Sequence, residues 1–317
     1  MAKSGNAALS GFNEHSDVLA FPAVIACHDA GAANHVIAWI KNGLLSGDCR
    51  AVMEGPARKL WAANGLDEAV LYSSLGDTLG GAACMVSGTG WGSNLEYDAR
   101  VLARKQGLPS IAVLDHWVNY MPRFERQGEW VLPDELWVTD TYAYAMAKRE
   151  LSDTPVCLMQ NAYIDGLVQN ISAVSLPPSS SEPQILYVQE PVRSDWGRQG
   201  SSGEFQALEY FMRNIDLLGM GSNPEIVLRP HPSDPSGKYD QWIAAHPEFS
   251  IRVDNTSDLA CAIARAEYVV GCQTYAMVVA LAARKKVVSS LPPWAPLCSL
   301  PHSEILMLAA MVENANR

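Results

Sequence analysis

The sequence predicts an α/β protein of two Rossmann-like domains facing across a cleft, and three observations carry that reading. Short apolar, β-rich runs alternate with longer helical patterns twice along the 317 residues. A Pro- and Ser-rich stretch without periodicity separates the two alternations, as an exposed linker does. With 48% hydrophobic and 18% charged residues, each half has enough apolar surface to bury a core of its own.

A polar leader covers residues 1–20. In the first domain, 21–174, strands are expected at Ala23–Cys27, Arg50–Met53, Ala69–Tyr72, Ala83–Val86, Ser110–Leu114, Glu135–Val138 and Val156–Met159. Helical patterns fall between them at Asn34–Asn42, Asn94–Gln106 and Thr141–Leu151. Near-continuous apolar strands separated by helices indicate a parallel sheet covered on both faces. The linker spans 175–184, and the second domain, 185–317, repeats the pattern. Its strands are expected at Ile185–Val188, Glu225–Leu228, Ser250–Val253, Tyr268–Val270 and Lys286–Ser289, with helices at Gly203–Leu218, Tyr239–Ala245, Ser257–Ala266 and Tyr275–Ala283. Ser303–Asn314, with Ser303 as N-cap and Glu304 in the first turn, reads as a terminal helix.

A net charge of −11 excludes a protein that holds nucleic acid by general attraction, so any phosphate must be gripped locally. Seven cysteines lie far apart with no CxxC pair, and no His-x-x-x-His completes a zinc site, so neither metal nor cofactor is expected. Reduced thiols suit a cytoplasmic protein. The first twenty residues carry Glu14 and Asp17 and lack the apolar centre of a secretion signal, and no run approaches the length of a membrane helix. Peripheral contact at the inner face of a membrane stays open.

Open parallel sheets bind ligands beyond the carboxyl ends of their strands, which selects the candidate residues. The first strand ends in Cys27-His-Asp-Ala-Gly-Ala-Ala-Asn34, a small-residue turn into a helix that offers His28, Asp29, Gly31 and Asn34. It is too loose for a dinucleotide fingerprint. Ser87-Gly-Thr-Gly-Trp-Gly-Ser-Asn94 follows another strand; its glycines, Gly90 central among them, admit close backbone approach, and Glu96 comes next. An equally good reading is a loop with a helix cap at Ser93 or Asn94. Leu114-Asp-His-Trp-Val-Asn-Tyr-Met-Pro-Arg-Phe124 supplies Asp115, His116, two large aromatics and an arginine, the ingredients of a sugar subsite.

In the second half, Ile226-Val-Leu-Arg-Pro-His-Pro-Ser233 sets Arg229 and His231 after a strand on a proline-stiffened corner, where both can meet a phosphate. Val269-Val-Gly-Cys-Gln-Thr-Tyr-Ala276 opens a helix with Gly271, Gln273 and Thr274, an anion-binding arrangement. Thr256-Ser257 opens another helix, as cap or as ligand contact. Gln189, Glu190 and Arg193 either touch a ligand or fix the linker.

Over residues 185–290 these elements resemble the nucleotide-binding half of bacterial capsule-type transferases with the GT-B fold, the Kdo and sialic acid transferases and the CDP-glycerol polymerases, which carry an Arg/Lys-Pro-His-Pro loop and a Ser/Thr turn before the next helix. Where that family often has paired serines, this chain has Cys272, Gln273 and Thr274. The resemblance implies a metal-independent glycosyltransferase of polysaccharide biosynthesis. Its donor would be a nucleotide sugar, CMP- or CDP-linked by preference, and its acceptor a cell-envelope glycan or lipid. Asp29 would be the base, with Asp115 and Glu96 behind it, and His231 the catalytic partner of the leaving phosphate. Two other readings stand beside it: a sugar-nucleotide hydrolase or epimerase of the same fold, and a non-catalytic nucleotide-sugar-binding scaffold.

Overall fold

The computed structural model describes residues 16–175, 184–198, 200–221, 224–254, 256 and 258–317. Residues 1–15 of the expected leader, 176–183 of the expected linker and Ser257 lie outside them. The chain divides into two compact units, Met1–Tyr163 and Ile164–Arg317.

The first unit holds a fully parallel six-stranded sheet of β1 (Ala23–Cys27), β2 (Cys49–Met53), β3 (Cys84–Ser87), β4 (Ser110–Val113), β7 (Glu135–Val138) and β8 (Val156–Leu158), in the order β2-β1-β3-β4-β7-β8. A two-stranded hairpin, β5 (Glu125–Arg126) and β6 (Glu129–Trp130), stands apart from it. The crossovers carry α1 (Ala30–Lys41), α2 (Gly55–Ala63), α3 (Leu75–Thr78), α4 (Leu95–Gln106) and α5 (Thr141–Glu150); α6 (Ala162–Ala173) follows β8. Alternation along β1 explains its unbroken apolar run. Ile25 and Cys27 join one core cluster, Val24 and Ala26 another, so both sheet faces are buried.

The second unit repeats the plan with β9 (Gln184–Val188), β10 (Glu225–Arg229), β11 (Ile251–Val253), β12 (Ala266–Gly271), β13 (Lys286–Ser289) and β14 (Leu306–Met307), all parallel, in the order β11-β10-β9-β12-β13-β14. Its helices are α7 (Gly203–Met212), α8 (Asp240–Ala244), α9 (Leu259–Arg265), α10 (Tyr275–Ala282) and α11 (Leu308–Ala315). Ile185, Tyr187, Leu228, Val270 and Val288 centre its core. Both orders are doubly wound: strand order reverses beside β1 and again beside β9, leaving a crevice at each carboxyl edge.

Three expected elements differ. The helix expected at Gly203–Leu218 ends as α7 at Met212 and gives way to a 3-10 turn at Ile215–Leu218. Ala69–Tyr72 is not a strand: Asp67 accepts a hydrogen bond from Ala69 N (2.8 Å), capping a 3-10 turn at Glu68–Val70, and Leu71 alone bridges to Ala51. The last helix starts at Leu308 and not at Ser303, because Leu306–Met307 pairs with Val288–Ser289 and extends the sheet by one strand. Among the described residues, no helix is long and apolar enough to cross a membrane.

Candidate active site

The reversal point of the first sheet lies between β1 and β3, and the chain gathers its polar residues there. His28 and Asp29 leave β1 just before α1. His28 Nδ1 lies 2.6 Å from Asp29 Oδ1. The other carboxylate oxygen crosses the reversal point to accept the backbone N–H groups of Trp91 (2.9 Å) and Gly92 (3.4 Å) in the loop after β3. Side chains at Gly90 or Gly92 would destroy this arrangement, since a Cβ at Gly90 would fall 2.5 Å from Asp29 Cγ and one at Gly92 2.9 Å from His28 Cε1. Burial alone would raise the Asp29 pKa, but the hydrogen bonds from His28, Trp91 and Gly92 outweigh it and hold the carboxyl below its ordinary value.

Glu96, buried in the first turn of α4, accepts His28 N at 2.9 Å and so fastens the end of β1 from below. Burial raises its pKa despite that bond, and the nearby charge of Asp29 adds to the rise. Two buried arginines brace the floor. Arg100 donates to Ser87 Oγ (3.0 Å) and Gly88 O (2.9 Å), and Arg123 donates to Thr89 O (3.0 Å). Arg123 also lies 3.5 Å from Asp115, whose second oxygen is 3.6 Å from His116 Nε2. Asp115 packs against the bare Cα face of Gly31 in α1. His28, Asp29, Gly31, Gly90, Glu96, Asp115 and His116 therefore share one edge, and Asn34 sits half-buried on α1 beside them.

The aromatic pair expected to stack on a sugar is not available for it. Trp117 and Tyr120 are buried, and the Trp117 indole N–H is committed to Asp140 Oδ2 (2.9 Å). Arg100 escaped the sequence reading, although its spacing of four from Glu96 on an amphipathic helix is the signal for a buried partner.

In the second unit the reversal point lies between β9 and β12. Buried Glu190 spans it, accepting Gln273 N (3.0 Å) through one oxygen and pairing with Arg193 through the other. Gly271 ends β12 so close to β9 that a Cβ would stand 2.8 Å from Val188 O. Gln273 Oε1 accepts Ser299 N (2.9 Å). Two buried polar groups here have no hydrogen-bond partner among the described residues: Gln189 Nε2 and Thr274 Oγ1. One strand further out, Arg229 and His231 line a cavity of about 790 Å³ that also takes in Lys238, Asp234 and Asp254. Its cations are internally paired, Arg229 with Asp254 (2.6 Å) and Lys238 with Asp234 (2.8 Å) and Glu204 (3.1 Å). The corner thus carries less free positive charge than its sequence suggests. Asp234 also accepts His231 N (3.0 Å), and burial lowers the His231 pKa. Among the described residues, no group of three His, Cys, Asp or Glu side chains is placed to hold a metal.

No family model and no curated protein matches the sequence. Solved structures do match in shape. The UDP-GlcNAc 2-epimerase of Neisseria meningitidis, bound to UDP-GlcNAc, aligns over 93% of this chain and 90% of its own with a TM-score of 0.63 at 11% identity. MnaA of S. aureus with UDP aligns over 84% and 78% (TM-score 0.57, 10% identity). The UDP-N-acetylglucosamine 2-epimerase of Rickettsia bellii aligns over 84% and 78% (TM-score 0.52, 9% identity). At 9 to 11% identity such likeness speaks for architecture alone, and the architecture is the GT-B fold of two Rossmann-like domains.

Proposed function

We propose that this chain is an enzyme acting on nucleotide-activated sugars, in which His28 moves the proton and Asp29 orients it. The observation that carries the proposal is the 2.6 Å His28–Asp29 pair at the reversal point of the first sheet. A carboxylate bound to Nδ1 favours the tautomer with its proton there, leaving the Nε2 lone pair as the base. Asp29 is poorly suited to the basic role expected of it from sequence. Its oxygens already accept two backbone N–H groups and the imidazole, and its lowered pKa makes it a weaker base.

In the reaction we favour, glycosyl transfer without a metal, His28 Nε2 accepts the acceptor hydroxyl proton as that oxygen bonds to the anomeric carbon. The sugar–phosphate bond breaks and its electron pair leaves with the nucleotide. Within the second unit, the unpartnered Gln189 amide and Thr274 hydroxyl are polar groups suited to a phosphate. The Arg229-Pro-His-Pro232 loop favours a cytidine donor and a cell-envelope glycan or lipid acceptor. Epimerisation or hydrolysis of a nucleotide sugar is the second reading, favoured by the architecture shared with the two UDP-GlcNAc 2-epimerases.

A thermal-shift screen of CMP, CDP, UDP, GDP and their sugars tests the common core. A bound ligand at one hundred times its Kd adds about 2.7 kcal/mol to stability. Incubation of the stabilising donor without acceptor then separates the readings: turnover only on adding acceptor supports transfer, whereas an epimer or free sugar formed at catalytic rates supports the second reading. Stabilisation without any turnover supports the nucleotide-sugar-binding scaffold, and if no nucleotide or nucleotide sugar stabilises the protein, all three readings fall.

A further inference from the structure

Resting on the nucleotide-sugar reading, we propose that Trp91 is the platform on which the reacting sugar ring stacks, and hence a specificity-determining residue. Trp117 and Tyr120 are buried, so they present no face to a ligand. Trp91 is 52% exposed, more than the other exposed tryptophans, Trp130 (46%) and Trp294 (37%), so its indole is open to a ligand.

Three features show that its exposure is held in place. Its own backbone N–H donates to Asp29 Oδ2 at 2.9 Å, so the residue is anchored to the carboxylate that orients His28. Gly90 and Gly92 flank it, and neither could carry a side chain over the ring without striking Asp29 or His28. Finally, the Arg123 guanidinium covers one face of the indole, 5.6 Å from the ring centroid. Arg123 is itself fixed by Thr89 O, Val118 O and Asp115. A cation on one face fixes the ring's orientation and leaves the opposite face to receive a ligand.

The ligand's chemistry follows from the neighbours. Axial C–H groups of a pyranose pack on an indole face, while its hydroxyls would seek the partly exposed His28–Asp29 pair to which the Trp91 backbone is bonded. A nucleobase would also stack, but the Trp91 backbone is anchored to Asp29 of the proposed proton-transfer pair, which must face the reacting sugar carbon or hydroxyl and not the base.

The test compares wild type with Trp91→Ala and Trp91→Phe, using the nucleotide sugar that most stabilises wild type and its bare nucleotide. The sugar moiety should add a thermal shift over the nucleotide in wild type and in W91F, and W91A should lose that addition while keeping the nucleotide's own shift. KM for the nucleotide sugar should rise about tenfold in W91A and less than about threefold in W91F, the scale of one aromatic stacking contact. Equal sugar-dependent shifts in wild type and W91A overturn the proposal and leave the nucleotide-sugar reading intact. Loss of the bare nucleotide's shift in W91A also overturns it, because Trp91 would then serve the base. Absence of any nucleotide or nucleotide-sugar shift in wild type overturns both readings together.

Discussion

Replacing Gly31 by alanine should destabilise the protein, although the position is helical and alanine is the better helix former. Gly31 is the second residue of α1. In an open helix the exchange gains about 1 kcal/mol. Here the new Cβ would stand 2.6 Å from Asp115 Cγ and 3.1 Å from Asp115 Cβ, closer still to the Oδ2 oxygen. The carboxylate cannot simply swing aside. Its side chain is buried and in contact with Arg123 (3.5 Å), and a χ1 rotation leaves the Asp115 Cβ contact in place. Overpacking of this kind costs about 1–3 kcal/mol, and the severity of the overlap points to the upper half of that range. Subtracting the helix gain leaves a loss of about 1–2 kcal/mol. Gly166, in the middle of α6, is the matched control, because a methyl group added there would meet nothing within 4 Å. Urea titrations of G31A, G166A and wild type read both effects, with the G31A midpoint lower and the G166A midpoint equal or higher. A G31A protein as stable as G166A would refute the packing of Asp115 against α1.

Burial pushes the His35 pKa down from 6.5 to about 4. Below pH 6.5 the unfolded chain takes up a proton that the native state refuses, so stability present above that pH is lost towards pH 4, by about 3 kcal/mol. His35→Phe, which keeps a ring between Trp39 and Tyr163, should flatten this fall in denaturation at pH 7 and pH 4.5. Asp29 has a lowered pKa, so its contribution is present above the unfolded carboxyl value and is lost only as pH falls through the lower folded value. Asp29→Asn should remove that acid-limb slope and, by releasing the His28 tautomer, reduce kcat at least about tenfold with a smaller change in KM. Asp254→Ala leaves the Arg229 guanidinium without its 2.6 Å partner and should cost about 1–3 kcal/mol in calorimetry, with Arg229→Ala and the double variant showing the non-additivity of a coupled pair.

Local patterns were legible and long-range partners were not. The runs around Ile25, Val86, Ile185 and Val270 announced buried parallel strands because both sheet faces are covered, and strand ends then selected His28, Asp29, Gln189 and Gln273. The helix α2, absent from the expected ones, opens at Gly55-Pro56, where a proline in the first turn removes an N–H that had no helical partner. The two-residue strand Leu306–Met307 is too short to leave a periodic signal. What the pattern could not contain is pairing across the sheet. Asp29 meets Trp91 from 62 residues away, Glu190 meets Gln273 from 83, and Arg229 meets Asp254 from 25. These ties change chemistry as well as geometry. They occupy the Asp29 oxygens with an imidazole and two backbone N–H groups, and they make Arg229 half of an ion pair instead of an open cation.

The most direct measurement is a 31P NMR time course of wild type and His28→Ala with a panel of CMP-, CDP- and UDP-sugars, with and without envelope glycan acceptors. Wild type should convert at least one donor, and H28A should still be stabilised by that donor but turn it over at least about a hundredfold more slowly. Conversion by H28A at the wild-type rate would contradict a proton-transfer role for the His28–Asp29 pair.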